Sequence, residues 1–510
     1  MKLAAIDIGT NSIHMVVVEV TARHTFDVIK QEKEMVKLGE GVFATNHLSP
    51  RAYQAGLETI RRYVSLADQL GVDEIITAAT SAIREARNGG EFLDEVIEKT
   101  GLSPQVISGK EEARLIFLAV RHAIELKNEN ALVIDIGGGS TEAVVGNATE
   151  VLYRSSMKLG VRRLLDMFEN EGPVGKEARG VLEAHIKYTA QEVMEAAKAQ
   201  GFTQVIGTSG TIRTLGEAAH LRTGGKDLRT VNAEVVLLQD IEQLTDQLLE
   251  MPQKKRTEIN VINKRRADAI HLGGVLLVQL LRLAEATQIT LCDASLREGL
   301  IIDYIHRYSG KGMPLSLHED LRHRSVAHLA RKYNSDLEQR AHVAHLARQL
   351  FDQLRSVHRQ DESMRSLLEH AAMLYAIGQY VSFNRYHKHS RYIILHSGLR
   401  GFTDEEVLLI GHVVRYHRKT VPKKKHGKFR KLSKEQRQTV SVLAGILRIA
   451  IGLDNTKNQL VKEVVCEVTD KKITVTPCGA NQIDLEVWEA RRNRHLLEDV
   501  LRREVIIPTA

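Results

Sequence analysis

Hydrophobic positions in the first 300 residues of this chain come in short β-branched runs that stop at an acid and a glycine. In Leu132-Val-Ile-Asp-Ile-Gly-Gly-Gly-Ser-Thr-Glu142, four apolar residues bracket one acid before three glycines and two hydroxyls. The pattern predicts a buried strand running into a turn where successive backbone N–H groups can point at one anion. Alone, a triple glycine is as well explained by a tight turn. Ala5-Ile-Asp-Ile-Gly-Thr-Asn-Ser12 repeats the pattern in register, with Ile6/Ile134, Asp7/Asp135, Ile8/Ile136, Gly9/Gly137 and Ser12/Ser140 coinciding. A second apolar run follows each, Met15-Val-Val-Val18 and Ala143-Val-Val145, so each segment reads as a β-hairpin. Two such hairpins predict two related lobes facing across a cleft, each contributing a phosphate loop.

Between the hairpins, apolar spacing from Pro50 to Gly71 predicts an amphipathic helix, and Glu74-Ile-Ile-Thr-Ala-Ala-Thr80 a strand leading into Ser81-Ala-Ile-Arg84. Arg84 would re-emerge beside the cleft, where a guanidinium clamps phosphate, although position alone favours an ordinary surface arginine. Gln105-Val-Ile-Ser-Gly-Lys-Glu-Glu-Ala-Arg114 predicts strand, turn and helix start, with Ser108 or Gly109 as cap and Glu111 and Glu112 in the first turn. Acids there ordinarily serve the cap and the macrodipole. Beside a phosphate site, one of them could take a proton from an attacking water instead. A third Gly-rich turn, Gln204-Val-Ile-Gly-Thr-Ser-Gly-Thr-Ile-Arg213, leads into a helix whose first amides favour an anion. In Leu291-Cys-Asp-Ala-Ser-Leu-Arg-Glu-Gly299, Asp293 and Ser295 read as helix caps.

Composition narrows the class without choosing a fold. At 510 residues, 43% hydrophobic and 26% charged, the chain has room for three or four domains. No run approaches the roughly 20 apolar residues of a membrane span, and the N-terminal run is too short for a secretory signal. Cys292, Cys466 and Cys478 form neither a disulfide framework nor a metal pattern, which predicts a reducing, cytoplasmic setting. A net charge of +7 points mildly to polyanionic partners.

Taken together, Asp7-Ile-Gly-Thr-Asn-Ser12, Ser108-Gly-Lys-Glu-Glu-Ala113, Asp135-Ile-Gly-Gly-Gly-Ser-Thr141, Gly207-Thr-Ser-Gly-Thr211 and Asp293-Ala-Ser-Leu-Arg-Glu-Gly299 resemble the exopolyphosphatase / guanosine pentaphosphate phosphatase (Ppx/GppA) family in order and spacing. The resemblance implies an α/β fold of two ribonuclease-H-like lobes, of the actin/Hsp70/sugar-kinase superfamily. It implies release of terminal orthophosphate from inorganic polyphosphate, or of the γ-phosphate from guanosine pentaphosphate (pppGpp), with Mg²⁺ or alternatively Mn²⁺. By this carry-over Glu112 is the general base, Asp135 and Asp7 lie on the metal side, and Arg84 contacts phosphate. Thr10, Asn11 and Ser12 form the first phosphate loop. Gly137, Gly138, Gly139, Ser140 and Thr141 form the second, and Thr208, Ser209, Gly210 and Thr211 the third turn.

From about Lys311 the helices become His-rich. Arg340-Ala-His-Val-Ala-His-Leu-Ala347, Tyr386-His-Lys-His-Ser390, Arg415-Tyr-His-Arg418 and Arg448-Ile-Ala-Ile-Gly-Leu-Asp454 follow the order of an HD-type phosphohydrolase domain, which long family members carry. Tyr375-Ala376 stands where the metal-binding His-Asp pair belongs, so a structural domain without a metal site is expected. Eleven Lys/Arg against one acid, Glu435, lie between Arg415 and Arg437. Such a run usually marks a solvated loop; here Lys423, Lys424, Lys425, Lys428, Arg430 and Lys431 would line a polyanion channel. With 5% aromatics and no visible stacking platform, no specific nucleic-acid partner is expected.

The expected organisation is lobe I over residues 1–123, lobe II over 124–308, an all-α HD-like domain over 309–455 and a small α/β domain over 456–510. The expected activity is that of an exopolyphosphatase forming a homodimer. The alternatives are a pppGpp phosphohydrolase and a non-catalytic polyphosphate sensor.

Overall fold

Both Gly-rich hairpins form in a computed structural model that describes residues 1–21, 25–126, 129–168, 173–308, 321–423, 425–480 and 482–508. The chain divides into two compact units, Met1–Glu319 and Asp320–Ala510. In the first, β1 (Lys2–Ile8), β2 (Ile13–Val20), β3 (Phe26–Glu34) and β4 (Glu74–Ala79) make a sheet of order β3-β2-β1-β4. A second sheet contains β5 (Ala131–Ile136), β6 (Thr141–Gly146), β7 (Val151–Met157), β8 (Gln204–Thr208), β9 (Val235–Leu237) and β10 (Gln288–Leu291), in the order β7-β6-β5-β8-β10-β9. In both, three antiparallel strands lead to a parallel one, β4 beside β1 and β8 beside β5. That shared order is the ribonuclease-H-like arrangement, built twice.

Where a strand was expected after Gln105, the backbone makes only an isolated parallel bridge between Ala79 and Val106. Ser108 ends the extended segment by capping the helix Gly109–Arg121, its hydroxyl accepting from the Glu111 amide at 3.2 Å. Too few residues remain between Pro104 and that cap for a ladder.

Period-two burial separates the cores. Leu3 and Ala5 face one cluster, whereas Ala4, Ile6 and Ile8 face another that contains Leu57 and Ile60 of the helix Pro50–Gln69. The first of these clusters is common to both sheets. It joins Leu3, Val16 and Val18 with Val133, Val144 and Ile206 through Phe117 of the helix Gly109–Arg121 and Ile301 of the helix Leu296–Tyr308. Each fully buried aliphatic side chain there contributes about 1.5–3 kcal/mol. This shared core anchors the two Gly-rich turns at adjacent strand ends.

The second unit combines helices with a small sheet of β11 (Val461–Val468), β12 (Lys472–Gly479) and β13 (Glu504–Ile506), in that order. One core includes Leu350, Ile410 and Leu447 from the helices and Val461, Val475 and Val505 from the strands. Helices Asp404–Tyr416 and Lys434–Gly452 each begin with a capping box, Thr403 with Glu406 and Ser433 with Gln436. Tyr375 is buried just after the helix Glu362–Leu374, with the Arg340 guanidinium 4.3 Å from its ring centroid and donating to its hydroxyl. Nearby, Gln339 donates to Asp454 at 2.7 Å. Burial pushes His387 and His417 down to about 3, and the ring nitrogens of His417 bond the Val414 carbonyl and the Tyr386 hydroxyl. Among the described residues no group of three His, Cys, Asp or Glu side chains is placed to hold a metal ion. Nor is any helix there long and apolar enough to cross a membrane.

Candidate functional site

The two hairpin turns share their closing hydrogen bond, Gly9 N–H to Ser12 O at 3.2 Å and Gly137 N–H to Ser140 O at 2.9 Å. They meet tip to tip. A Cβ on Gly138 would lie 2.7 Å from the Thr10 Cβ, so only glycine admits this approach. The second turn is held from behind by the start of the helix Val161–Met167, where Val161 and Arg162 N–H groups donate to the Gly137 and Gly138 carbonyls at 3.1 and 2.8 Å. Arg162 also reaches Asn11 Oδ1 at 3.4 Å and Asp268 at 2.9 Å, and Lys37 reaches the same Asp268 at 3.3 Å. Arg163 donates to the Gly139 carbonyl at 2.8 Å and to Glu85 at 2.6 Å, with its guanidinium 4.0 Å from the Phe43 ring centroid. These pairs tie the two sheets together at the turns.

Beneath the turns lies a group of acids, Glu112, Asp135 and Glu142 buried and Asp7 half-buried. Strand register sets Asp7 opposite His14 and Asp135 opposite Glu142, the same step in both repeats. The two adjacent helix acids separate. Glu111 is engaged by Arg114 at 2.9 and 2.7 Å, which holds its carboxyl below the usual range. Glu112 turns inward and is buried. Arg84 donates to the Ile107 carbonyl at 2.7 Å and reaches Glu112 Oε2 at 3.5 Å, so it is a half-buried bridge rather than a free surface group. Ser156 of β7 closes over Gly109 and donates to Glu142 Oε1 at 2.8 Å, which draws the helix start toward β6.

Four carboxyls in one pocket disfavour one another's charge. Burial raises Glu112 well above its usual range, reinforced by Glu142 and opposed by Arg84. Burial likewise raises Asp135 well above its usual range, with Glu142 and Asp7 adding to it. Asp7 is pushed up to about 6 and Glu142 to about 7, each chiefly by burial. Glu142 had no role assigned from sequence. The signal was available, since it stands seven residues after Asp135 just as His14 does after Asp7.

Across from the acids stands a cation cluster that sequence reading also missed. Arg297 donates to His14 Nδ1 at 2.8 Å and to Ser295 Oγ at 3.1 Å. The guanidinium of Arg266 lies against Gly210, where any Cβ would collide with it. Burial, then Arg297, Lys33, Arg266 and Arg213, push His14 down to about 2. The same surroundings lower Lys33 to about 8, with Asp7 as its opposing charge. Such an excess of converging positive charge, part of it half-buried, favours an anion. Arg297 lies inside a motif already singled out, but nothing in the linear chain sets it beside His14.

Most of the expected loop hydroxyls are engaged within the protein. Thr10 bonds Ser81 at 2.8 Å, Ser12 bonds His14 at 2.6 Å, and Thr141 donates to the Leu159 carbonyl at 2.6 Å. Ser140 bonds Glu142. Thr208 donates to the Ala294 carbonyl, while Ser209, at φ 94°, accepts from the Thr211 and Ile212 amides at 3.2 Å. Thr211 packs against Gly273. Asp293 is paired reciprocally with Asn232 at 2.7 and 2.8 Å instead of capping a helix; Ser295 and Glu298 do that. Of the proposed channel, Lys423, Lys425, Lys428, Arg430 and Lys431 are exposed on the second unit, and Lys424 lies outside the described residues.

Comparison with known proteins bears on what this site does. The model of the Ppx/GppA phosphatase family matches residues 16–308, and that of domain III of the same phosphatases matches residues 321–503. An exopolyphosphatase from Cytophaga hutchinsonii is 28% identical, with a TM-score of 0.57, over 61% of this chain and 99% of its own. The Aquifex aeolicus member of the Ppx/GppA family is 27% identical, with a TM-score of 0.53, over the same 61% and 99%.

Proposed function

This chain belongs to the Ppx/GppA phosphatase family, and we propose that within it the protein is an exopolyphosphatase that releases terminal orthophosphate from inorganic polyphosphate. One observation carries the reading: Glu112, buried and bridged to Arg84, feels the charges of Asp7 and Asp135, the acids that precede two Gly-rich turns meeting tip to tip.

Phosphoryl transfer asks the protein for alignment and charge neutralisation more than for covalent chemistry. Glu112 orients the attacking water and accepts its proton. Arg84, the positive group against that carboxylate, favours its ionised form and faces the phosphoryl charge. With the hydroxyls of Thr10, Thr141, Thr208 and Ser209 engaged internally, the turns meet phosphate chiefly through backbone amides. The leaving group is a shortened polyphosphate, already a good anion, so no acid is needed opposite Glu112.

The donors Asp7 and Asp135 are all-oxygen, and burial disfavours their negative charge without a counter-ion, a set that suits a hard divalent cation bound through few carboxylates. Mg²⁺ there, or Mn²⁺ in its place, would neutralise phosphoryl oxygens. Lys33, Arg213, Arg266 and Arg297 favour a substrate with several phosphates, and the exposed lysines of the second unit favour a long one. Phosphate release from long-chain polyphosphate and from pppGpp, measured side by side, tests the substrate. Polyphosphate should be cut far faster. A preference for pppGpp would retain the chemistry and replace the substrate, and turnover of neither would leave a polyanion sensor.

A further inference from the structure

Beside its basic loop the second unit exposes aromatic rings for which the proposed reaction has no use. After the buried Tyr375 the chain passes through a short 3-10 turn, Ile377–Tyr380, and a loop into the helix Tyr386–His396. Tyr380 and Phe383 stand on this segment with 62% and 73% of their surface in water. Phe383 lies 6.0 Å from the buried Tyr386, and the Arg418 guanidinium covers the Tyr386 ring at 4.5 Å. The aromatic turn therefore adjoins the start of the basic run.

That run is held in place by further ring contacts. Arg448 donates to the carbonyls of Tyr416, Lys419 and Thr420 at 2.8, 3.2 and 3.2 Å. His426 bonds the Tyr416 hydroxyl at 2.9 Å, and Phe429 packs on Tyr416 at 5.3 Å. Lys423, Lys425 and Lys428 are exposed on the segment that follows Arg418, the residue stacked on Tyr386 beside Phe383.

The combination discriminates among polyanions. Polyphosphate offers charge alone and gives exposed rings nothing to stack on. A duplex offers charge with its base faces hidden. A single strand offers phosphates at regular spacing together with free π-faces, and guanidinium beside aromatic suits both. A second copy of this chain is disfavoured, because a two-fold contact would set one lysine-rich face against another. We propose that the Tyr380–Phe383 turn and the loop after Arg418 form a binding surface for single-stranded nucleic acid, without base-sequence preference. The proposal is independent of the phosphatase reading.

The test uses the full chain and fluorescence anisotropy of a labelled oligouridylate, with a duplex of equal length and unlabelled polyphosphate as comparators. The single strand should bind more tightly than the duplex. Tyr380→Ala combined with Phe383→Ala should weaken single-strand binding by about tenfold or more while duplex and polyphosphate affinities stay unchanged. Phe383→Trp should retain binding, and Lys423→Ser with Lys425→Ser should weaken all three. Equal affinity for single strand and duplex, or full affinity in the double alanine variant, overturns the proposal. So does a fall in oligomeric mass on removing the rings, which would assign the surface to contact between copies.

Discussion

Glu142→Gln should stabilise the metal-free protein at pH 8 and leave its stability at pH 4.5 nearly unchanged. Glu142 is buried and its carboxyl is pushed from 4.5 up to about 7, with Ser156, Ser140 and Arg84 opposing part of the burial effect. That displacement amounts to about 3 kcal/mol. The sign follows from proton linkage. Below the ordinary carboxylate pKa, folded and unfolded chains both hold the proton and stability is full. From 4.5 up to about 7 the unfolded carboxyl has ionised while the folded one, in a buried site beside Glu112, keeps its proton, so stability falls across that window and the loss is complete above it. Glutamine can still accept from Ser156 and carries no charge. Thermal unfolding in EDTA across this pH window should therefore show the variant's first transition higher by on the order of 5 °C at pH 8, the gap closing toward acid. Equal Tm values at both ends, or a variant less stable at pH 8, would show that Glu142 is a stabilising ionised group and refute the reasoning.

Three further outcomes are expected. The pH profile of kcat/KM should rise with pH through an apparent pKa above the ordinary carboxylate range, belonging to Glu112 and Glu142 as a pair, and Glu142→Gln should move that limb to lower pH. Gly138→Ala places a methyl against Thr10 and should lower kcat/KM by about a hundredfold, as steady-state phosphate release would show, because the turns can no longer meet. Neutralising Lys423 and Lys425 should flatten the salt dependence of polyphosphate binding by about 0.7 per lysine in log–log slope, read by titration at several salt concentrations.

The fold was legible where chemistry and periodicity coincide. The hairpins could be read because Asp7 and Asp135, Gly9 and Gly137, and Ser12 and Ser140 fall at one register, and successive apolar residues along β1 and β5 face alternate cores. The division of labour between Glu111 and Glu112 was legible as a question but not as an answer. Arg114, one turn on, selects the first, and the approach of Ser156 to Gly109 turns the second inward. From position alone Arg84 read as a surface group, because the Ile107 carbonyl it bonds is distant in sequence; only the resemblance set it at phosphate. The cation cluster was out of reach for the same reason: His14, Arg213, Arg266 and Arg297 come from four separate stretches of chain. Aromatic content, at 5%, carried no position, so it could not show that Tyr380 and Phe383 share one exposed turn.

The most direct measurement is single-turnover phosphate release from polyphosphate by the wild type, Glu112→Ala and Glu112→Gln, at saturating substrate with Mg²⁺. Both substitutions should lower the rate at least about a hundredfold, with substrate affinity little changed and unfolding temperature no lower. A variant that keeps most of the rate would contradict the assignment of Glu112 as the residue that activates water.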